Sequence, residues 1–98
     1  MSQHLQDKVI VVTGAGSGFG RLISLKTAAA GAKVVALDVD QANVTAVVEE
    51  ITAAGGTALA QVADVTSMPA MKAAVAAGVA AYGAIDVLVN NAGVMPLA

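Results

Sequence analysis

The chain has 98 residues, 57% of them hydrophobic and only 12% charged, with a net charge of −2 and no cysteine. This length fits one small domain; five scattered basic residues (Lys8, Arg21, Lys26, Lys33, Lys72) argue against nucleic acid, and the lack of cysteine excludes disulfides, thiol catalysis and cysteine metal sites. Charge at half the usual fraction of about 25%, with 23 alanines, points to a large interface or to a piece of something larger.

Residues 1–7 read as a lead-in. Asp7 and Lys8 precede a short apolar run, so no signal peptide is expected. That run, Val9-Ile10-Val11-Val12, predicts a first strand over 8–13. It leads into Thr13-Gly14-Ala15-Gly16-Ser17-Gly18-Phe19-Gly20, which opens a helix over 18–30. A strand that ends in glycines lets backbone N–H groups approach a pyrophosphate without Cβ obstruction, and the positive end of the following helix favours the negative charge. Phe19, Leu22, Ile23 and Leu25 spread over a broad arc of that helix, and Gly31 closes it.

The second strand is expected over 33–38, from Val34–Leu37 to Asp38. Asp38 stands 18 residues after Gly20, where a carboxylate can accept both hydroxyls of an adenosine ribose. Asp40 is the expected N-cap of a second helix with one apolar stripe, Val44, Val47, Val48 and Ile51, and Gly55 at its end. The third strand, 57–63, has a weaker pattern around Leu59 and Val62, which fits an edge. Ser67 then caps a third helix, with Pro69 in its first turn, a stripe of Met68, Met71, Val75, Val79 and Tyr82, and Gly83 closing it. The fourth strand, 86–90, holds Val87–Val89. The longest uncharged apolar stretch, Ala73 to Ile85, has 13 residues; a membrane span needs about 20, so the expectation is a soluble, cytoplasmic protein.

This β-α-β-α-β-α-β order predicts an α/β fold, a doubly wound parallel sheet with strand order 3-2-1-4. The continuous runs in strands one, two and four predict strands buried on both faces. The chain ends at Met95-Pro96-Leu97-Ala98, just after strand four, where such a sheet is expected to continue.

Three motifs give the chain a resemblance to a known family. Thr13, Gly14, Gly18 and Gly20 form Thr-Gly-x-x-x-Gly-x-Gly, Asp64-Val65 follows strand three, and Asn90-Asn91-Ala92-Gly93 follows strand four. From Leu5 onward the sequence resembles the N-terminal, NAD-binding half of the short-chain dehydrogenase/reductases. The resemblance implies a Rossmann-like domain over 1–98, truncated after strand four. It implies a pyrophosphate turn from Gly14 through Gly16, Ser17, Gly18 and Phe19 to Gly20, with Asp38 on the adenosine ribose. It further places Asp64 and the Val65 backbone on the adenine and Asn91 beside the nicotinamide ribose, with Asn90 stabilising the sheet. NADP-using members usually carry Arg or Lys where this chain has Ser17 and Val39. A 2′-phosphate close to Asp38 would meet repulsion of about 4 kcal/mol per charge at an effective dielectric of 20, so the expected cofactor is NAD.

The family's active site, a Ser, a Tyr-x-x-x-Lys pair and a further Asn, lies downstream of the Asn-Asn-Ala-Gly segment. Tyr82 is no substitute, because Asp86 stands four residues later. No catalytic residue is therefore expected here, and the chain alone is expected to be inactive. The resemblance implies an alcohol or carbonyl substrate handled through the absent half, and a homo-oligomer or pairing through exposed apolar surface. The alternative is a non-catalytic NAD-binding module, stand-alone or partner-dependent. His4 alone supports no triad or metal cluster, and Asp38 and Asp40 are better explained as ribose ligand and helix cap than as a metal site. Glu49 and Glu50 read as a solvated face, and the four methionines as filler.

Overall fold

The computed structural model describes residues 5–64 and 66–91. In chain order the elements are β1 (Val9–Thr13), α1 (Gly18–Ala29), β2 (Lys33–Asp38), α2 (Gln41–Ala53), β3 (Thr57–Val62), α3 (Met68–Tyr82) and β4 (Val87–Val89). The four strands form one parallel sheet in the order β3-β2-β1-β4. It is the doubly wound, Rossmann-like arrangement expected from the alternating pattern, with element ends differing by one residue.

The two central strands explain the apolar runs. Val9–Val12 and Val34–Leu37 are buried throughout, because helices cover both faces of the sheet there. Alternation along β1 and β2 divides the core. Ile10, Val12, Val34 and Ala36 pack with Val44, Val47 and Ile51 of α2 and Ala28 of α1. Val9, Val11, Val35 and Leu37 pack on the other face with Ala74 of α3.

Local sequence sets the helix ends. The Asp40 carboxylate accepts the Asn43 N–H, and the Ser67 hydroxyl accepts that of Ala70. Gly31, Gly55 and Gly83 close the three helices with φ of 99°, 92° and 91°, a region that costs other residues about 1–2 kcal/mol.

Two expectations are corrected. The stripe of α3 does not all face the sheet: Met68 is 65% exposed and Val79 43%, while the buried residues are Ala74 and Gly78. The reason is close approach, since a Cβ on Gly78 would lie 2.9 Å from Val35 Cγ2. Small residues define the contact line, and Met71 and Tyr82 pack along its margin. Burial pushes the Tyr82 hydroxyl above its ordinary pKa, in keeping with a packing role.

The second correction concerns β4, whose apolar run is not buried on both faces. Val87 and Leu88 are exposed, because β4 is the sheet's edge beyond β1 and no described element covers it. At the opposite edge lies β3, as its weaker pattern suggested. No helix among the described residues is long and apolar enough to cross a membrane.

Candidate dinucleotide site

Parallel strands bring all their C-terminal ends to one edge of the sheet. Register pairs Thr13 with Leu37, Asp38 with Val62, and Val12 with Val89. The glycine turn after β1, Asp38, Asp64 and Asn91 therefore share that edge. Strand order reverses between β1 and β4, and the crevice at such a reversal is where doubly wound sheets take their ligands.

The turn is built from backbone. Gly14 and Gly18 adopt φ of 63° and 59°, conformations that a Cβ disfavours. A Cβ on Gly20 would lie inside van der Waals contact of the Gly14 carbonyl oxygen, 2.6 Å from its carbon and 2.8 Å from Asn91 Nδ2. Glycine at 20 lets the start of α1 rest directly on the end of β1 and brings the Asn91 amide against the turn. Ala15 N–H donates to the Leu37 carbonyl at 2.8 Å, tying the turn to β2.

α1 differs from its neighbours in its cap. Ser17 occupies the N-cap position with extended backbone but makes no side-chain cap hydrogen bond, whereas Asp40 and Ser67 cap α2 and α3. The start of α1 thus presents N–H groups and the positive end of the helix dipole toward the edge, beside a turn whose Gly14 and Gly16 carry no side chain. Phe19, 73% exposed, directs no bulk into the core.

Asp38 is held on both oxygens. Gly16 N–H donates to Oδ2 at 2.8 Å and Asp40 N–H to Oδ1 at 3.1 Å. Each carboxylate oxygen can accept more than one hydrogen bond, so a ribose diol still finds acceptors on a fixed carboxylate. Ala63 N–H donates to the Asp38 carbonyl at 3.1 Å, which brings the end of β3 alongside. Next in the chain, Asp64 Oδ1 accepts from the Thr66 hydroxyl at 2.7 Å and Thr66 N–H at 2.9 Å. These bonds hold the Asp64 carboxyl below its ordinary pKa, the hydroxyl contributing most. Val65 lies outside the described residues.

Thr13 joins the two strands that flank the reversal. Its hydroxyl accepts Asn91 N–H at 2.8 Å and donates to Asn90 Oδ1 at 3.0 Å, in a site only 2% exposed. Asn90 thus ties β4 to β1, and Asn91 stands one residue further on, half-buried beside Gly20.

Asn43 was not legible as a site residue. The N-cap bond from its N–H to Asp40 Oδ1, 2.9 Å, sets the first turn of α2 so that Asn43 Cβ stands over Gly16. Its position three residues after a capping Asp was the only sequence signal.

Among the described residues the remaining features hold no comparable chemistry. Asp38 and Asp40 are engaged as described, and the described residues contain no group of three or more potential metal ligands. His4 lies outside them. A groove of about 610 Å3 lined by Gln6, Leu25, Ala28, Gly31, Ile51 and Gly55 carries no titratable lining group. Arg21 and Glu50 form an exposed two-pronged ion pair between α1 and α2, which raises the arginine pKa.

The cradle fits a dinucleotide: glycines at positions a Cβ would fill, an uncapped helix start, a fixed carboxylate at the next strand end and an amide across the reversal. Comparison with known proteins identifies the family. The family model for short chain dehydrogenase matches residues 8–98. L-rhamnose 1-dehydrogenase (NAD(P)(+)) of Azotobacter vinelandii is 45% identical over 96 residues, covering 94% of this chain and 38% of its own. A crystal structure of hydroxysteroid dehydrogenase from Escherichia coli superposes with a TM-score of 0.89 at 38% identity, over 95% of this chain and 43% of that one. A metagenomic short-chain oxidoreductase in complex with NADP gives 0.85 at 44% identity, over 92% and 41%. The chain therefore spans less than half the length of these relatives. It belongs to the short-chain dehydrogenase family.

Proposed function

We propose that this short-chain dehydrogenase family chain supplies the dinucleotide-binding half of an NAD-dependent oxidoreductase acting on an alcohol or ketone. The observation that carries the reading is the Asp38 carboxylate, held against the glycine turn by the Gly16 N–H at 2.8 Å. A fixed negative charge at the end of β2 favours a ribose diol and repels a 2′-phosphate. Neutral Ser17 and Val39 offer no compensating cation. One relative is named for both NAD and NADP and one neighbour is complexed with NADP, so the preference rests on these residues of this chain.

When bound, NAD supplies a nicotinamide C4 that accepts or returns a hydride. This chain's own residues bind and orient it. The backbone from Gly14 to Gly20 would take the pyrophosphate, with Gly16, Ser17, Gly18 and Phe19 between. Asp38 would hold the adenosine ribose, Asp64 and Val65 the adenine, and Asn91 the nicotinamide-side ribose. Proton transfer belongs to the Ser and Tyr-x-x-x-Lys that family resemblance places downstream. The 98 residues alone are expected to bind without turnover.

Calorimetry with NAD and NADP tests this reading. NAD binding at least about tenfold tighter, equivalent to about 1.4 kcal/mol, is the expected result; equal or reversed affinities refute it. A second reading, a partner-dependent NAD-binding module without catalysis, is favoured by one observation. Leu88, 56% exposed, pairs in register with Val11 and so shares the sheet face on which α3 packs. Sedimentation separates the two. A stable self-associated species that binds NAD favours the module, and a monomer that binds NAD favours the first reading.

A further inference from the structure

Gly14, Gly16 and Gly18 occupy one turn but are required for different reasons. Gly14 and Gly18 have positive φ, and around Gly18 there is open space for a Cβ. Gly16 is not among the positive-φ residues, so its conformation makes no demand for glycine. Its surroundings do. A Cβ at position 16 would lie 2.7 Å from Asn43 Cβ, 2.8 Å from Asp38 Oδ2 and 3.2 Å from Asp38 Cγ. The space that a side chain would take is already filled by the carboxylate and by the first turn of α2.

The two neighbours differ in how they can give: Asn43 Cβ sits on the α2 backbone, whereas the Asp38 carboxylate ends a side chain and is the group that moves. Asn43 is fixed by its N–H bond to Asp40 Oδ1, and Asp38 Oδ1 by the Asp40 N–H, so one helix cap braces both. The same Gly16 donates its N–H to Asp38 Oδ2. Position 16 therefore controls whether the carboxylate lies on the turn or is pushed away from it.

We propose that Gly16, backed by Asn43, is a specificity-determining residue: the absent side chain sets Asp38 in the orientation that selects a ribose diol over a 2′-phosphorylated ribose. The inference rests on the dinucleotide reading above and extends it to a residue that acts through Asp38. Gly16→Ala moves the carboxylate off the turn and breaks its charge-assisted hydrogen bond. NAD affinity falls about tenfold while NADP affinity changes less, so the NAD/NADP ratio drops. Gly18→Ala, whose strain lies in the backbone alone, weakens both dinucleotides alike.

The test is calorimetry of NAD and NADP binding to the wild-type chain, Gly16→Ala, Gly18→Ala, Asp38→Ala and Gly16→Ala/Asp38→Ala. Support is a ratio that falls in Gly16→Ala, holds in Gly18→Ala, and does not change further when Gly16→Ala is added to Asp38→Ala. A folded Gly16→Ala with the wild-type ratio overturns the inference and leaves the NAD reading standing. A wild-type chain that binds neither dinucleotide overturns both. If Gly16→Ala does not fold by circular dichroism, Gly16→Ala/Asn43→Gly removes the Cβ–Cβ collision; restored folding supports the packing argument, and failure to restore it overturns it.

Discussion

Replacing Gly20 by alanine presses a methyl group against backbone. The new Cβ would sit 2.6 Å from the Gly14 carbonyl carbon, about 0.9 Å inside the ~3.5 Å at which carbon atoms rest. Gly14 cannot yield easily. Ala15 after it is tied to Leu37, Gly16 is tied to Asp38, and Thr13 before it is clamped to β4. Forcing a methyl group into such a site costs about 1–3 kcal/mol. For a domain of this size 1 kcal/mol shifts the melting temperature by about 4–8 °C. The expected fall for a cost near 2 kcal/mol is about 8–16 °C, read by thermal unfolding in circular dichroism. NAD affinity falls at least about tenfold, because α1 is pushed from the edge on which its N–H groups converge. Gly55→Ala is the control: its φ of 92° carries backbone strain, but nothing lies within 4 Å and the dinucleotide site is remote. That variant loses stability and keeps its cofactor affinity. A Gly20→Ala protein melting within about 3 °C of wild type, with unchanged NAD affinity, would refute the close-contact argument.

Thr13→Val keeps the shape of the side chain but removes the hydroxyl that accepts Asn91 N–H and donates to Asn90 Oδ1. The expected loss is about 1–3 kcal/mol, measured by urea unfolding, with faster amide exchange at Asn91; unaltered exchange there counts against the clamp. Asp38→Ala lowers the NAD/NADP affinity ratio at least about tenfold, and an unchanged ratio in paired titrations would remove Asp38 from the ribose subsite. Asp64 is held below 3.8 by the Thr66 hydroxyl and N–H. Its contribution to the turn is therefore complete above the unfolded value and is lost as pH falls through the lowered folded value. Thr66→Val raises the Asp64 pKa toward 3.8, observed by carbon-detected NMR titration of the carboxyl; the opposite shift contradicts the assignment of its cause.

Chain-local signals were enough for the framework. Two valine-rich runs bounded by a glycine turn, one clean helical stripe and an acid at a strand end specify a parallel sheet and the edge that holds the candidate site, because each depends on neighbours within a few residues. Val44, Val47 and Ile51 face the core as their spacing requires. The helix caps at Asp40 and Ser67 and the left-handed glycines at 31, 55 and 83 follow from the same short-range chemistry.

Contacts between distant segments were a different matter. The face of α3 turns on how closely a helix can approach Val35, so Ala74 and Gly78 prevail over the larger Met68 and Val79. Burial of Val87 and Leu88 depends on what stands beside β4, and hydropathy along the strand holds no record of that. In the sequence Gly18 is one of the motif's glycines and Gly16 one of its open positions, and neither says why a glycine stands there. The folded chain supplies the reasons: Gly18 is needed for its left-handed backbone, and Gly16 for the room that Asp38 and Asn43 occupy. Local conformational preference is written residue by residue, whereas occupied space is a property of segments meeting, and that meeting exists only once β1, β2 and α2 have packed.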